Sequence, residues 1–212
     1  MAGRNDWLTV AREASADDLR ERILTGFKDG KPFTPYRPTI ALPAGARTIL
    51  DFGCGLGRNF PFLRELGLRI TGFDLPPMVE RCRELAPVQA DELASEWASV
   101  RTRNFDLIFA TLVLQHVEPD SCRAYLADFA RMAPTVYLLT RIDSDFATKV
   151  LDEVVAVKVF EPGVCVQVDH DSSTHQLRAL GQRTFDEVRA SGQPGEHYEV
   201  LLTVNGPKSL CP

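Results

Sequence analysis

The sequence lacks the features that identify several large classes of protein. It has five cysteines but no Cys-x-x-Cys pair, which argues against a zinc ribbon and against a disulfide framework. Its longest apolar run, residues 107–114, is too short to span a bilayer. The opening segment MAGRNDWLTV has no apolar stretch of signal-peptide length. We therefore expect a protein of the reducing cytoplasm without a membrane association.

The chain also lacks a basic charge balance, internal repeats and low-complexity tracts. Its net charge of −5 argues against a nucleic-acid partner, which would need a basic face. With 212 residues, of which 44% are hydrophobic and 25% charged, the composition is that of an ordinary globular protein. This length fits one three-layer domain with a short appendage. The oligomeric state stays open, and a homodimer is compatible with the sequence.

What the sequence does contain is an alternation of short apolar segments and helical patterns through its central part. The strands are predicted at 48–53, 68–74, 88–91, 105–111 and 135–140. Helical spacing falls between them, most clearly at 59–66, 76–85 and 119–132. This alternation predicts an α/β fold: a doubly wound, Rossmann-like, mostly parallel sheet in a three-layer αβα arrangement.

The two ends of the chain have less regular patterns. Ser15 followed by Asp18 is an acidic variant of the capping box and predicts a helix start, and a proline-spaced, extended segment follows the helix. We therefore divide the chain into an N-terminal helix and arm (1–42), acting as a lid or as a packing segment, and a main domain (43–212). Beyond Arg141, strands are predicted at 164–169 and 197–205 and a helix at 183–191.

The first strand ends in the glycine-rich sequence Asp51-Phe-Gly53-Cys-Gly55-Leu-Gly57. Ligands of doubly wound sheets bind beyond the carboxyl ends of the strands, and glycines let the backbone turn sharply and approach a ligand closely. A dinucleotide fingerprint, G-x-G-x-x-G, would need a third glycine at position 58, which is Arg58. The spacing therefore favours S-adenosylmethionine, which has no phosphate, over a nicotinamide dinucleotide.

Two further carboxylates follow predicted strands. Asp74 closes the second strand, where a carboxylate can accept the hydroxyls of a ribose; alternatively it caps the helix that begins at Pro76. Asp91 closes the predicted third strand, where it could accept the amino group of adenine or be an ordinary loop carboxylate. Cys54, inside the glycine turn, is expected to be a small buried filler.

The segments TILDFGCGLGRN, ITGFDLPPMVERC and FDLIFATLVLQHV resemble the class I S-adenosylmethionine-dependent methyltransferase family, small-molecule type. The resemblance covers roughly residues 45–141 and implies a sheet of about seven strands with one antiparallel edge strand. The segment RMAPTVY departs from it, because it lacks the Lys-Pro-Gly-Gly common there. The cofactor-binding residues that motif and resemblance together predict are Asp51, Gly53, Cys54, Gly55, Gly57, Asp74, Leu75, Asp91, Leu112 and Gln115.

His116 is the candidate catalytic residue. It follows the fourth strand, and a histidine there can act as a general base for an acceptor that carries a proton, or can fix the loop by hydrogen bonds. The segment 169–175 contains two aspartates and two histidines, Asp169, His170, Asp171 and His175, but matches no metal motif, so no metal site is predicted.

The sequence therefore predicts an S-adenosylmethionine-dependent methyltransferase acting on a small or medium organic acceptor. The alternatives are an NAD(P)-dependent oxidoreductase and a non-catalytic cofactor-binding partner protein.

Overall fold

The computed structural model describes residues 4–25, 37–40, 42, 44–142, 152–153, 160–171, 173–174 and 176–204. Eight strands in this part of the chain form a single sheet. They are β1 (Thr48–Phe52), β2 (Arg69–Phe73), β3 (Glu92–Ala94), β4 (Leu107–Thr111), β5 (Thr135–Arg141), β6 (Phe160–Asp171), β7 (Gln176–Arg183) and β8 (His197–Val204). Their order across the sheet is β3-β2-β1-β4-β5-β8-β6-β7.

Helices connect most of these strands. They are α1 (Arg4–Glu13), α2 (Ala16–Arg20), α3 (Phe60–Glu65), α4 (Pro76–Leu85), α5 (Trp97–Val100), α6 (Pro119–Met132) and α7 (Phe185–Ser191). A π-helical turn, Glu21–Thr25, continues α2, and a 3-10 turn, Leu114–His116, precedes α6. None of the helices in the described part of the chain is long and apolar enough to cross a membrane.

The doubly wound α/β fold is confirmed, but the sheet is larger than expected. Strands β1 to β5 run parallel, β8 is antiparallel to β5, and β6 is antiparallel to both β8 and β7. The sheet thus has eight strands, one more than expected, and the antiparallel strand β8 lies inside it rather than at its edge. The unpredicted strand, β7, is an edge strand with mostly exposed side chains, so it has no alternating apolar pattern.

The three layers arise because successive residues of a strand point to opposite faces of the sheet. On one face, Leu50 and Ile108 pack with side chains of α5, α6 and α7. On the other, Ile49 and Leu107 pack with side chains of α3 and α4. All four of these residues are 0% exposed, which explains the continuous apolar runs of the central strands.

The N-terminal helices pack onto the main body of the protein. Ser15 caps α2 as predicted: its Oγ accepts the N–H of Asp18 at 3.1 Å and donates to the Asp18 carboxylate at 2.8 Å. Helix α1, which the sequence patterns missed, lies against α4, where Arg81 donates to the carbonyl of Ala14 at 2.7 Å. Leu19 of α2 is buried in a hydrophobic cluster to which α1, α2 and α4 all contribute side chains.

Little of the proline-spaced segment is described. Phe33 and Tyr36, the aromatic residues of this segment, lie outside the described residues. Arg37 forms an ion pair with Glu65 at the surface.

Candidate functional site

A pocket lies at the carboxyl ends of β1, β2 and β4. Its walls are the glycine turn after β1, Asp74 and Leu75 after β2, the segment after β4, the start of α6, and residues of the two N-terminal helices. Ligands of doubly wound sheets bind in the crevice beyond the carboxyl ends of the strands. The fold therefore forms a pocket where the sequence predicts a ligand site.

The glycine turn requires its glycines. Gly53, Gly55 and Gly57 have φ angles of 74°, 55° and 73°, in the left-handed region that other residues avoid. A Cβ on Gly53 would lie 2.3 Å from Val113, and one on Gly57 would lie 2.3 Å from the Phe60 ring. Gly53 and Gly55 line the pocket, whereas Gly57 is not among the described lining residues.

Cys54 is turned away from the pocket. It is 3% exposed and is not among the described lining residues. A hydrogen bond with Cys82, together with burial, raises the pKa of its thiol well above the usual value. This supports the interpretation of Cys54 as a filler and not as a nucleophile.

Asp74 lines the pocket. Its Oδ2 accepts the N–H of Gly55 at 2.7 Å and its Oδ1 accepts the N–H of Leu75 at 2.7 Å. Both oxygens keep a lone pair that can accept a ligand hydroxyl. Burial raises the pKa of Asp74 to about 6. The N-cap of α4 falls on Leu75, so Asp74 is not the residue that caps the helix.

Asp51 lies behind the glycine turn and is 0% exposed. Its Oδ1 accepts Nδ2 of Asn59 at 3.4 Å, and the same amide donates to Thr111 at 2.9 Å. Its Oδ2 has no hydrogen-bond partner among the described residues. Burial raises the pKa of this carboxyl to about 7. Asp51 is thus close to the pocket but is not among the described residues of its wall.

The predicted position of Asp91 is wrong. Strand β3 comprises residues 92–94, so Asp91 precedes the strand and lies at the amino end of the sheet, opposite the pocket. There its carboxylate accepts the N–H of Ile70 at 2.7 Å and the guanidinium of Arg64 at 2.8 Å. An adenine contact by Asp91 does not fit this arrangement.

The segment after β4 contributes two of the three predicted residues to the pocket. Leu112 and His116 line it, and Leu112 has a φ of 54°, a strained conformation of the kind found at functional sites. Gln115 does not line it; its Oε1 accepts the N–H of Arg141 at 3.0 Å. The His116 ring lies 5.7 Å from the ring of Trp7.

An aromatic cluster, which the sequence patterns missed, forms one wall of the pocket. Phe52 and Phe73 stack with their ring centroids 5.3 Å apart, and Tyr125 lies 4.8 Å from Phe52. Behind them, Trp97 donates its indole N–H to Asp128 at 2.8 Å. The sequence did contain a signal for this wall, because one phenylalanine stands directly before Gly53 and another directly before Asp74. Such rings can pack against the flat face of an adenine.

The N-terminal helices complete the wall. Ile23 and Trp7 both line the pocket. A methyl carbon of Ile23 would lie 3.0 Å from a Cβ on Gly55, so this side chain covers the glycine turn directly. The indole nitrogen of Trp7 is buried and has no hydrogen-bond partner among the described residues.

The described residues contain no group of three metal-capable side chains. Asp171, in the segment with two aspartates and two histidines, instead accepts the N–H of Ser173 at 2.9 Å within a turn. The hydrogen bonds from the Ser173 hydroxyl and N–H lower the pKa of Asp171 to about 2. His175 lies outside the described residues.

Comparisons with known proteins agree with this architecture. The sequence matches the family model described as "Methyltransferase domain" over residues 10–196. A search of the curated proteins gave no significant match. A solved TehB-like SAM-dependent methyltransferase from Corynebacterium glutamicum is similar with a TM-score of 0.51 and 17% identity, over 95% of each chain.

Two further solved structures are also similar. One, from work on the conversion of a disulfide bond into a thioacetal group during echinomycin biosynthesis, has a TM-score of 0.53 and 17% identity, over 77% of this chain and 78% of the other. Human N-acetylserotonin methyltransferase in complex with SAM has a TM-score of 0.51 and 11% identity, over 76% of this chain and 48% of the other. At these identities the likeness shows a shared fold.

Proposed function

The chain belongs to the methyltransferase-domain family, with S-adenosylmethionine as its cofactor, and on that premise we propose that it methylates a small or medium-sized organic acceptor. The observation that carries the proposal is the arrangement of Asp74. Its carboxylate is fixed by two backbone amides in the wall of the pocket, with lone pairs left for the two hydroxyls of a ribose.

The chemistry of the pocket fits a sulfonium cofactor better than a dinucleotide. The described lining residues include the carboxylates of Asp74 and Glu118 but no lysine or arginine. The N–H groups of Gly53 and Cys54 donate to the carbonyl of Phe73 at 2.8 and 3.1 Å, and that of Gly55 donates to Asp74. A pyrophosphate needs free backbone donors or cations, whereas a positively charged sulfonium does not. The nicotinamide-dependent alternative is therefore not favoured.

Each wall of the pocket has a proposed role. The bound cofactor supplies an electrophilic methyl group on its sulfonium. Asp74 accepts the ribose hydroxyls, and Leu75 and the aromatic wall of Phe52, Phe73 and Tyr125 take the adenine. The turn at Gly53 and Gly55 lies close to the methionine part. Asp51 supports this turn from behind.

His116 is the proposed general base. It lines the pocket at the end of β4, two strands away from Asp74. When the acceptor loses a proton as it takes the methyl group, an imidazole there can accept it, which contributes roughly 10²–10⁴-fold to the rate. His116→Gln should then lower kcat while leaving the affinity for S-adenosylhomocysteine unchanged. An equal loss of kcat and of this affinity would instead mean that His116 maintains the conformation of the loop.

The N-terminal segment, residues 1–42, is proposed to act as a cover. Trp7 and Ile23 lie over the pocket, where they would exclude water from the reacting groups. A cytoplasmic location also stays a proposal, supported by the four described cysteines, which are all buried free thiols.

Calorimetric titration with S-adenosylhomocysteine tests the proposal, with NADH as the comparison ligand. We expect saturable binding of the first and none of the second. Folded protein that gives no heat and no thermal shift with millimolar S-adenosylhomocysteine would contradict the cofactor assignment. A screen of acceptors with labelled S-adenosylmethionine then tests turnover, and tight cofactor binding without any turnover would favour a non-catalytic role.

A further inference from the structure

We propose that Trp7 is a cofactor-binding residue whose indole N–H donates a hydrogen bond to the carboxylate of the methionine part of S-adenosylmethionine. The inference rests on the proposed function, because it needs this cofactor in the pocket. It assigns a ligand contact to helix α1, outside the sequence motifs that predicted the site.

The first observation is the state of the two indole N–H groups. Trp97 donates its N–H to Asp128 at 2.8 Å. The indole nitrogen of Trp7 is buried without a partner in the described part of the chain, although Trp7 lines the ligand pocket. Buried donors in native proteins almost always have a partner, and each exception needs an explanation. At a binding site, an acceptor on the ligand can supply it.

The second observation is where Trp7 lies. It packs in the same cluster as Leu56 of the glycine turn, and its ring is 5.7 Å from that of His116. The sheet order β2-β1-β4, with neighbouring strands about 4.8 Å apart, puts the end of β4 roughly 10 Å from the end of β2. A cofactor whose ribose is held by Asp74 at β2 therefore extends its methionine part over the glycine turn, toward Trp7.

The third observation is that the described wall of the pocket offers no cationic side chain of lysine or arginine for a carboxylate. A buried carboxylate needs hydrogen bonds. The first amides of the glycine turn, those of Gly53, Cys54 and Gly55, already donate to protein acceptors. The hydroxyl-bearing side chains of the wall, Ser121 and Tyr125, lie on α6. The indole N–H of Trp7 is a donor on the side of the pocket where the His116 ring lies.

The experiment compares two ligands that differ at the proposed contact. S-Adenosylhomocysteine has the amino-carboxylate, whereas 5′-methylthioadenosine keeps the adenosine and the sulfur but lacks it. Trp7→Phe retains an aromatic ring and removes the N–H. We expect it to weaken S-adenosylhomocysteine binding by roughly tenfold or more, as for a hydrogen bond to a charged group, and to leave methylthioadenosine binding unchanged. Asp74→Asn should weaken the binding of both ligands, because both contain the ribose that Asp74 is proposed to hold.

A second measurement keeps the test decisive if the variant folds poorly. The protein has two tryptophans, so an ¹H–¹⁵N spectrum of the wild-type protein contains two indole signals, which Trp7→Phe or Trp97→Phe assigns. The Trp7 signal should shift strongly with S-adenosylhomocysteine and little with methylthioadenosine.

Three results would overturn the inference. The first is an unaltered affinity for S-adenosylhomocysteine in Trp7→Phe. The second is an equal loss of affinity for both ligands in this variant, and the third is an equal response of the Trp7 signal to both ligands. Failure of the wild-type protein to bind either ligand is a different outcome, which overturns the proposed function and removes the inference with it.

Discussion

The carboxylate of Asp74 accepts the backbone N–H of Gly55 at 2.7 Å. This hydrogen bond joins the end of β2 to the turn that follows β1, so the residue proposed to hold the ribose also fixes the loop that surrounds it. Because burial raises the pKa of Asp74 only to about 6, the charged, strongly accepting form predominates at neutral pH. Binding, loop geometry and protonation are therefore linked through this one side chain.

Asp74→Asn is expected to weaken S-adenosylhomocysteine binding by about 1–3 kcal/mol, because an amide replaces an accepting oxygen with a donor. The matched control is Asp91→Asn, which removes the same charge from the carboxylate bound to Arg64 and Ile70 at the other end of the sheet. It should leave the affinity unchanged, as measured by calorimetry. An equal loss in both variants would mean that net charge, and not the Asp74 contact, governs binding.

The affinity for S-adenosylhomocysteine should depend on pH through Asp74. The ionised carboxylate accepts the ribose hydroxyls, and protonation below its pKa of about 6 removes accepting capacity. Affinity is therefore expected to be steady at neutral pH and to decline as the pH falls through about 6. Since other groups also titrate in this range, the comparison is with Asp74→Asn, which should lack this step. A parallel pH profile in the variant would contradict the assignment.

Asp51→Asn should stabilise the protein without ligand at alkaline pH. Burial raises the pKa of Asp51 from 3.8 to about 7 in the folded state, so the folded protein binds the proton more tightly than the unfolded chain. Ionisation of Asp51 thus destabilises the fold progressively between these two values and fully above them. The expected gain in unfolding free energy is on the order of 2–4 kcal/mol at about pH 8, and close to nothing at about pH 4.

Urea denaturation at these two pH values measures the change in unfolding free energy. Asp106→Asn is the control, because its change should have the opposite sign. The N–H groups of Arg47 and Thr48 donate to Asp106 at 2.8 and 2.9 Å, and the bond from Arg47 contributes most to lowering the pKa of this carboxyl. Removing its charge should therefore destabilise the protein at alkaline pH. If Asp51→Asn also destabilised it there, the buried carboxylate would have a partner that offsets its burial.

The central strands could be predicted because burial on both faces of the sheet requires a continuous apolar run, which is visible in the local sequence. The helices at 76–85 and 119–132 begin and end where the spacing indicated. The strand before Asp91 was misplaced because β3 has only three residues with no buried side chain. In its register Thr71 pairs with Glu92. This register depends on contacts with β2, which cannot be predicted from the sequence around β3 alone.

The candidate site was predictable only where it coincides with a motif. The glycines and Asp74 follow strands, so their convergence follows from a parallel sheet. Trp7 reaches the pocket from α1, which is followed by another helix and not by a strand. The aromatic wall depends on the contact of Tyr125, on α6, with Phe52 at the end of β1. These contacts join segments far apart in the chain, and no spacing rule predicts them.

Gly53→Ala and Gly67→Ala form a pair that separates backbone strain from steric exclusion. Their φ angles are nearly equal, 74° and 72°, so each substitution carries a conformational cost of about 1–2 kcal/mol. Around Gly67 a new Cβ meets nothing within 4 Å, whereas at Gly53 it lies 2.3 Å from Cγ2 of Val113. Gly53→Ala should therefore lower the unfolding free energy more than Gly67→Ala and also abolish S-adenosylhomocysteine binding.

The double variant Gly53→Ala/Val113→Ala identifies the cause of that difference. Truncation of Val113 removes the γ-carbons that lie 2.3 and 3.1 Å from the new Cβ but keeps the Cβ of Val113 at 2.6 Å, so only part of the lost stability should return in urea denaturation. The new methyl group still stands at the pocket wall, so the affinity for S-adenosylhomocysteine should remain low even where the fold recovers. Equal stability losses for Gly53→Ala and Gly67→Ala would show that Val113 moves aside freely, and the close packing of the glycine turn would then have no part in shaping the pocket.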